Sequence, residues 1–347
     1  MRTAQKVLRK ILVFALQGLA VLIFLEIGIR VADPFGISYY PETARFLDTM
    51  VHEEPIGYRL QPNLDGIFHS ARYQINSLGL RGPEIDSPKE TEERRILFLG
   101  DSFVFGIGVN NDQTLSTRIE DLVKTEVPDS KYRVINMGVP SYNTEQELIQ
   151  LEGLQGTLDP NAVILFFVPN DIEKKKWVFE KRESFAANFS QRSYALSTFF
   201  ILVQQALTKL GSPPQLINLQ DYSEGNVRWV AISDSLQKIN SLCKARSIPF
   251  VVYLEGSTSD GINAMVEKVG KSSGFDVVGL EPWSDPRWAG VDVLRYRNSK
   301  SDSHPNAEGT SVWGRLIYED LSYRNIIRQR FQPELGKPLK ERNRINE

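Results

Sequence analysis

The stretch Arg95-Ile96-Leu97-Phe98-Leu99-Gly100-Asp101-Ser102 decides how this chain reads. Its first five residues form a short, nearly unbroken apolar run, the pattern of a strand buried on both faces of a parallel sheet. Gly100 and Asp101 end the run and leave Ser102 at the C-terminal edge of the sheet, where ligands bind in open α/β folds. Alone, Gly100-Asp101-Ser102 says little, since at about 6% usage per residue it arises by chance in roughly one chain in ten of this length. A serine after a strand also commonly caps a helix.

Outward from this stretch, Arg133–Met137, Ala162–Val168 and Pro249–Leu254 repeat the apolar run, and a weaker one, Asp276–Leu280, fits an edge strand. Between them Thr114–Thr125, Thr144–Leu158, Val227–Lys244 and Glu308–Leu321 carry apolar residues at the three- and four-residue steps of helices. This alternation implies right-handed crossovers and an α/β fold, a three-layer α/β/α sandwich on a mostly parallel central sheet. The third strand is followed by a long segment, Glu173–Glu224, which opens on Lys174, Lys175, Lys176 and Trp177. Segments of that length usually carry function or helices of their own. Ser197–Leu210 is apolar enough for such a helix, either completing the core or forming a lid or substrate-facing wall.

Three more segments end strands or open a helix. In Asn136-Met137-Gly138-Val139-Pro140, Gly138 lets the backbone approach closely and leaves an N–H to donate, or simply makes a tight turn. In Pro169-Asn170-Asp171 the Asn170 amide can donate two hydrogen bonds to an oxyanion, or close an Asx turn. Asp302-Ser303-His304-Pro305-Asn306 stands before the final helix and holds the last of three histidines, after His52 and His69.

In this order the four segments resemble the SGNH or GDSL hydrolase family, named for its serine, glycine, asparagine and histidine blocks, over about Arg95 to Tyr318. Ile75-Asn76-Ser77-Leu78-Gly79-Leu80-Arg81-Gly82 is similar to the lead-in of membrane-anchored bacterial members. The resemblance implies a flavodoxin-like hydrolase domain over residues 94–325 with an insertion at about 173–224. It implies Ser102 as nucleophile, His304 as general base, and an oxyanion hole made by the N–H groups of Ser102 and Gly138 with the Asn170 side chain. Neither metal nor cofactor is implied. One departure concerns the triad acid: the commoner family spacing places it three residues before the histidine, where this chain has Ser301, and Asp302 stands two before. Residues two apart in an extended segment point to the same side, so Asp302 can still serve. A Ser-His dyad, or Asp292 from the preceding loop, are the alternatives.

The implied activity is hydrolysis of a carboxyl ester through an acyl-enzyme, on an acylated surface glycan, glycolipid or lipid. An O-acetyltransferase of exopolysaccharide assembly would use the same residues, and the Asp-x-His spacing is similar to that of alginate O-acetyltransferases. A non-catalytic glycan-binding member is the remaining alternative. Trp283 and Trp288 flank the loop ahead of His304 and could stack on sugars, whereas Trp313 in the last helix fits the core.

Ile11–Ile29 is apolar apart from Gln17 and Glu26, and about 20 such residues cross a bilayer as a helix. Arg2, Lys6, Arg9 and Lys10 precede it without an acidic residue, which holds residues 1–10 in the cytoplasm. Residues 11–32 then form a signal anchor and the catalytic part lies in the periplasm or outside the cell. A cleaved signal peptide lacks its small-x-small site here, because Arg30 fills one of the two places before a cut at Ala32. Residues 33–93 are expected to be a juxtamembrane segment packed on the core, and 326–347 a polar tail.

Composition removes other classes. With 41 basic and 43 acidic residues there is no electrostatic footprint for nucleic acid. The single cysteine, Cys243, excludes an intrachain disulfide and suits a buried helix face, and with three scattered histidines no zinc-type cluster can be drawn. No Gly-x-Gly-x-x-Gly or Gly-x-x-x-x-Gly-Lys loop follows the first strand, and Phe105-Gly106-Ile107-Gly108 is too short an echo of one to suggest a nucleotide.

Overall fold

The structure, a computed structural model, describes residues 2–33, 39–128, 130–172, 193–196, 198–199, 202–203, 223–256, 260–300 and 302–328. These fall into two units, one drawn from Met1–Asp48, Lys181–Pro214 and Ser299–Asp302, the other from Thr49–Glu180, Gln215–Asn298 and Ser303–Glu347. In the first, α1 (Arg2–Ala32) is followed by α2 (Tyr39–Leu47). Within α1, Gln5–Ala32 is long and apolar enough to cross a membrane, and large side chains such as Phe14 and Phe24 are exposed along it. A carboxylate on such a helix needs partners. Glu26 accepts hydrogen bonds from Ser193 Oγ (2.8 Å), the N–H groups of Tyr194 and Ala195 (3.1 and 2.9 Å) and Arg30 Nε (2.8 Å).

The second unit opens with two antiparallel hairpins, β1 (Val51–Glu53) with β2 (Gly57–Arg59) and β3 (Asp65–Phe68) with β4 (Ala71–Gln74). Next come β5 (Arg94–Gly100), α3 (Ser102–Phe105), α4 (Leu115–Glu126), β6 (Tyr132–Asn136), α5 (Thr144–Leu158) and β7 (Ala162–Phe167). Then follow α6 (Val227–Ala245), β8 (Phe250–Glu255), α7 (Asp260–Ser273), β9 (Asp276–Leu280) and α8 (Ala307–Tyr323). The five long strands pair in parallel in the order β6-β5-β7-β8-β9. Counting from β5 this is 2-1-3-4-5, the doubly wound order whose direction of winding reverses between β5 and β7.

Alternate residues of each strand feed two cores. Leu97, Leu99, Val163, Leu165 and Val252 face α5, α6 and α7, through Leu151, Ile239 and Val266 among others. Ile96, Phe98, Ile164, Phe166 and Tyr253 face α4 and α8, through Ile119, Trp313 and Leu316. Both faces being covered explains why the strands are continuous apolar runs. The edge strand β6 is shielded by Glu120, whose Oε2 accepts the Val134 N–H at 2.9 Å.

The hairpins are built onto the sheet's C-terminal edge. Tyr58 Oη donates to the Pro140 carbonyl at 2.8 Å, and Tyr142 Oη donates back to the Tyr58 carbonyl. Burial pushes both phenols up from their ordinary range. Cys243 is buried in α6, with its thiol pushed up to about 12 by burial. The expected helix over Ser197–Leu210 lies largely outside the described residues, as do Lys174, Lys175, Lys176, Trp177 and residues 329–347.

Candidate active site

β5 delivers Gly100 to the sheet edge beside the winding reversal, and Asp101 rather than Ser102 caps the helix that follows, accepting the Phe103 N–H at 2.9 Å. Ser102 thus occupies the first helical position, where a backbone N–H has no partner within the helix. The helix lasts four residues because Gly106, at φ 89°, takes the left-handed conformation that ends it.

The loop before α8 brings His304 to the same edge. Asn306 caps α8 by accepting the N–H groups of Glu308 and Gly309, both at 3.0 Å, while its amide donates to the carbonyls of Arg295 and Arg297. His304 is buried, with its ring 5.5 Å from that of Phe103. Its Nε2 stands 2.7 Å from Ser102 Oγ, across 202 positions of sequence. Asp101 Oδ2 also lies within reach of Ser102 Oγ, at 3.2 Å. With Nε2 bare the hydroxyl donates to the imidazole; with Nε2 protonated the ring donates to Oγ and the hydroxyl donates to Asp101.

β7 ends in a 3-10 turn, Pro169–Ile172, which carries Asn170 to Asp101: Asn170 Nδ2 donates to Asp101 Oδ2 at 3.1 Å. Asp101 therefore joins the serine, the helix start and the asparagine. Its bridging role was not read from the sequence, although an aspartate at a strand-to-helix junction is a cap signal. At the end of β6, Gly138 packs directly against the backbone of α3 at Val104 and Phe105. Its N–H, expected to face the site, donates instead to Asn136 Oδ1 at 3.0 Å. Asn136 Nδ2 in turn donates to the Val104 carbonyl at 2.7 Å, so this buried amide ties β6 to the serine's helix.

Asp302 is buried and its N–H donates to Ser299 Oγ at 3.0 Å. Asp292 is exposed and caps a 3-10 turn, accepting the Leu294 N–H at 3.0 Å. Trp313 is core, edge-on to Phe166 at 5.6 Å. Trp283 packs against Tyr296, and Trp288 lies under Arg287 against the second core. Beneath the site, burial holds the carboxyls of Glu147 and Asp171 well above the usual carboxylate range, Glu147 adding to the shift of Asp171 and Asp101 to that of both.

Comparison with known proteins adds to this geometry. The model of the GDSL-like Lipase/Acylhydrolase family matches residues 98–312. Among solved structures, the psychrotrophic esterase EstA from Pseudoalteromonas sp. is 13% identical with a TM-score of 0.42, over 67% of this chain and 98% of that one. A two-domain esterase (CEX) active on acetylated mannans is 12% identical with a TM-score of 0.44, over 71% of this chain and 53% of that one. The lipase/acylhydrolase from Enterococcus faecalis is 17% identical with a TM-score of 0.38, over 67% and 96%. No curated protein matches the chain.

Proposed function

This chain belongs to the GDSL-like lipase/acylhydrolase family, a family of ester-hydrolysing enzymes, and we propose that it cleaves carboxyl esters through an acyl-enzyme on Ser102. The observation that carries the reading is the 2.7 Å approach of Ser102 Oγ to His304 Nε2, a nucleophile and a base within hydrogen-bond reach. Ser102 Oγ attacks the ester carbonyl as its proton passes to His304 Nε2. The oxyanion is held by the Ser102 N–H, by the Asn170 amide, and by the Gly138 N–H once it is shared with or released from Asn136. His304 returns the proton to the departing alkoxide. Water then attacks the acyl-enzyme with His304 again as base, releasing the acid and restoring Ser102. Asp302, two residues before His304, is the proposed acceptor that orients the imidazole.

The proposed substrates are acyl esters on surface glycan, glycolipid or lipid. The apolar helix α1 supports a membrane tether for such an enzyme. Removing residues 1–33 should release the protein from carbonate-washed membranes, and a truncated chain that still sediments with them would contradict the tether. Acyl transfer to a sugar hydroxyl would use the same residues, and the Asp302-x-His304 spacing is what favours it as a second reading. The full chain should hydrolyse a short-chain aryl ester, Ser102→Ala should abolish this, and products formed with an added sugar acceptor separate hydrolysis from transfer. Undiminished hydrolysis by Ser102→Ala would sink the serine mechanism.

A further inference from the structure

Arg81, in the lead-in segment, touches none of the reacting groups, yet it is almost fully buried against the turn that follows them. Its guanidinium donates to the carbonyls of Phe105 (2.8 Å), Gly106 and Val109, and to Asn111 Oδ1 at 3.0 Å. The rings of Tyr73 and Phe105 lie 4.2 and 4.6 Å from Arg81 Cζ. Burial lowers its pKa to about 10, which leaves it charged at neutral pH. Burying a guanidinium among carbonyls and ring faces is expensive. What it secures is the path of one short turn, Phe105–Val109.

That turn reaches both members of the candidate pair. On one side the N–H groups of Gly106 and Ile107 donate to the Ser102 carbonyl, at 2.9 and 3.3 Å. On the other, Asn298 Nδ2 donates to the Ile107 carbonyl at 2.8 Å, while the Asn298 N–H donates to the His304 carbonyl at 3.0 Å. Tyr73 adds a third tie, its hydroxyl accepting the Gly108 N–H at 2.9 Å. A chain of hydrogen bonds thus runs from Ser102 through the turn and Asn298 to His304, with Arg81 clamping its middle.

We propose that the Phe105–Val109 turn is a yoke that sets the Ser102–His304 separation, and that Asn298 and Arg81 are positioning residues for this pair. The proposal rests on the reading of Ser102 and His304 as nucleophile and base. The test is steady-state kinetics of the full chain on a short-chain aryl ester, for Asn298→Ala, Arg81→Lys and the double variant. Asn298 is only partly buried, so its variants are expected to fold.

Misplacing a reacting group by about 1 Å costs about 10²-fold, so kcat should fall about 10- to 100-fold with KM within about twofold. Because both residues act through one turn, the double variant should be no more than about threefold below the worse single variant. A full kcat in Asn298→Ala, or losses that multiply in the double variant, would overturn the yoke. Should Arg81→Lys fail to fold, Asn298→Asp serves in its place, since it keeps the side chain's volume and removes the donor to Ile107; an unchanged kcat there overturns the proposal equally. Hydrolysis surviving Ser102→Ala would refute the underlying site reading. Inert Ser102→Ala beside fully active Asn298→Ala would refute the yoke alone.

Discussion

Replacing Gly138 by alanine tests the packing that aims the nucleophile. A Cβ at this position would lie 2.7 Å from the Val104 carbonyl carbon and 2.8 Å from the Phe105 Cα, with Phe105 N nearer still, where ordinary contact begins near 3.4 Å. These neighbours are backbone atoms of the four-residue helix that begins at Ser102, so no side-chain rotation relieves the clash. Phe105 N, the nearest of these atoms, sets the movement, and the helix or the Gly138 loop must shift by about 1 Å. Asn136 Nδ2, 2.7 Å from the Val104 carbonyl, resists that movement. A shift of this size taken up by the helix would stretch the 2.7 Å contact between Ser102 Oγ and His304 Nε2 past good hydrogen-bond length. With about 10²-fold lost per ångström of misplacement, kcat should fall about 30- to 100-fold, about 2–3 kcal/mol in the barrier, at nearly constant KM. Overpacking should also lower stability by about 1–3 kcal/mol. Alanine keeps the backbone N–H, so the loss would be steric. Steady-state hydrolysis of an aryl ester and thermal unfolding of the same preparation measure the two effects. A Gly138→Ala protein with kcat within threefold of the parent would show that this close packing does not aim Ser102.

Other substitutions probe separate parts of the account. Asn170→Ala should lower kcat by about 10²–10³ with little change in KM, as for loss of one oxyanion donor; a rise in KM alone would show that Asn170 merely binds the ground state. Glu147→Gln tests the buried acids through the pH dependence of stability. Burial, then the charge of Asp101, raises the folded pKa of Glu147 well above its ordinary value of 4.5. Between those values the native state holds more protons than the unfolded chain, so stability falls as pH rises from about 5 to 8. Glu147→Gln should flatten that fall and stabilise the protein at pH 8 relative to the parent, and melting curves with an unchanged slope would contradict the assignment.

The central sheet is legible in the sequence because parallel strands covered on both faces leave uninterrupted apolar runs, and all five expected runs are strands. Gly100-Asp101-Ser102 and Asn170 were legible for a related reason: a strand that ends abruptly places the next residue at the sheet edge. What escaped was short or non-local. Strands β1 to β4 have three or four residues each, too few to display alternation, and Tyr58 meets Pro140 across 82 positions. The helix α7 was missed although Ile262, Met265, Val266 and Val269 recur at helical steps, a single short stripe flanked by Gly261 and Gly270. Composition could not tell whether Ser102 or Asp101 caps α3, since both residue types do so. Nor could it show that Asn136 takes the Gly138 N–H, which depends on how the chain turns after β6. Arg81 stood in a recognised segment, but its place against the Phe105–Val109 turn follows only from the fold.

The most direct test is covalent labelling by a fluorophosphonate, followed by intact mass measurement and peptide mapping. One adduct per chain is predicted, on the peptide that carries Ser102, absent from Ser102→Ala and formed much more slowly by His304→Ala. An adduct on another residue, or labelling undiminished in Ser102→Ala, would contradict the assignment of Ser102 as the nucleophile.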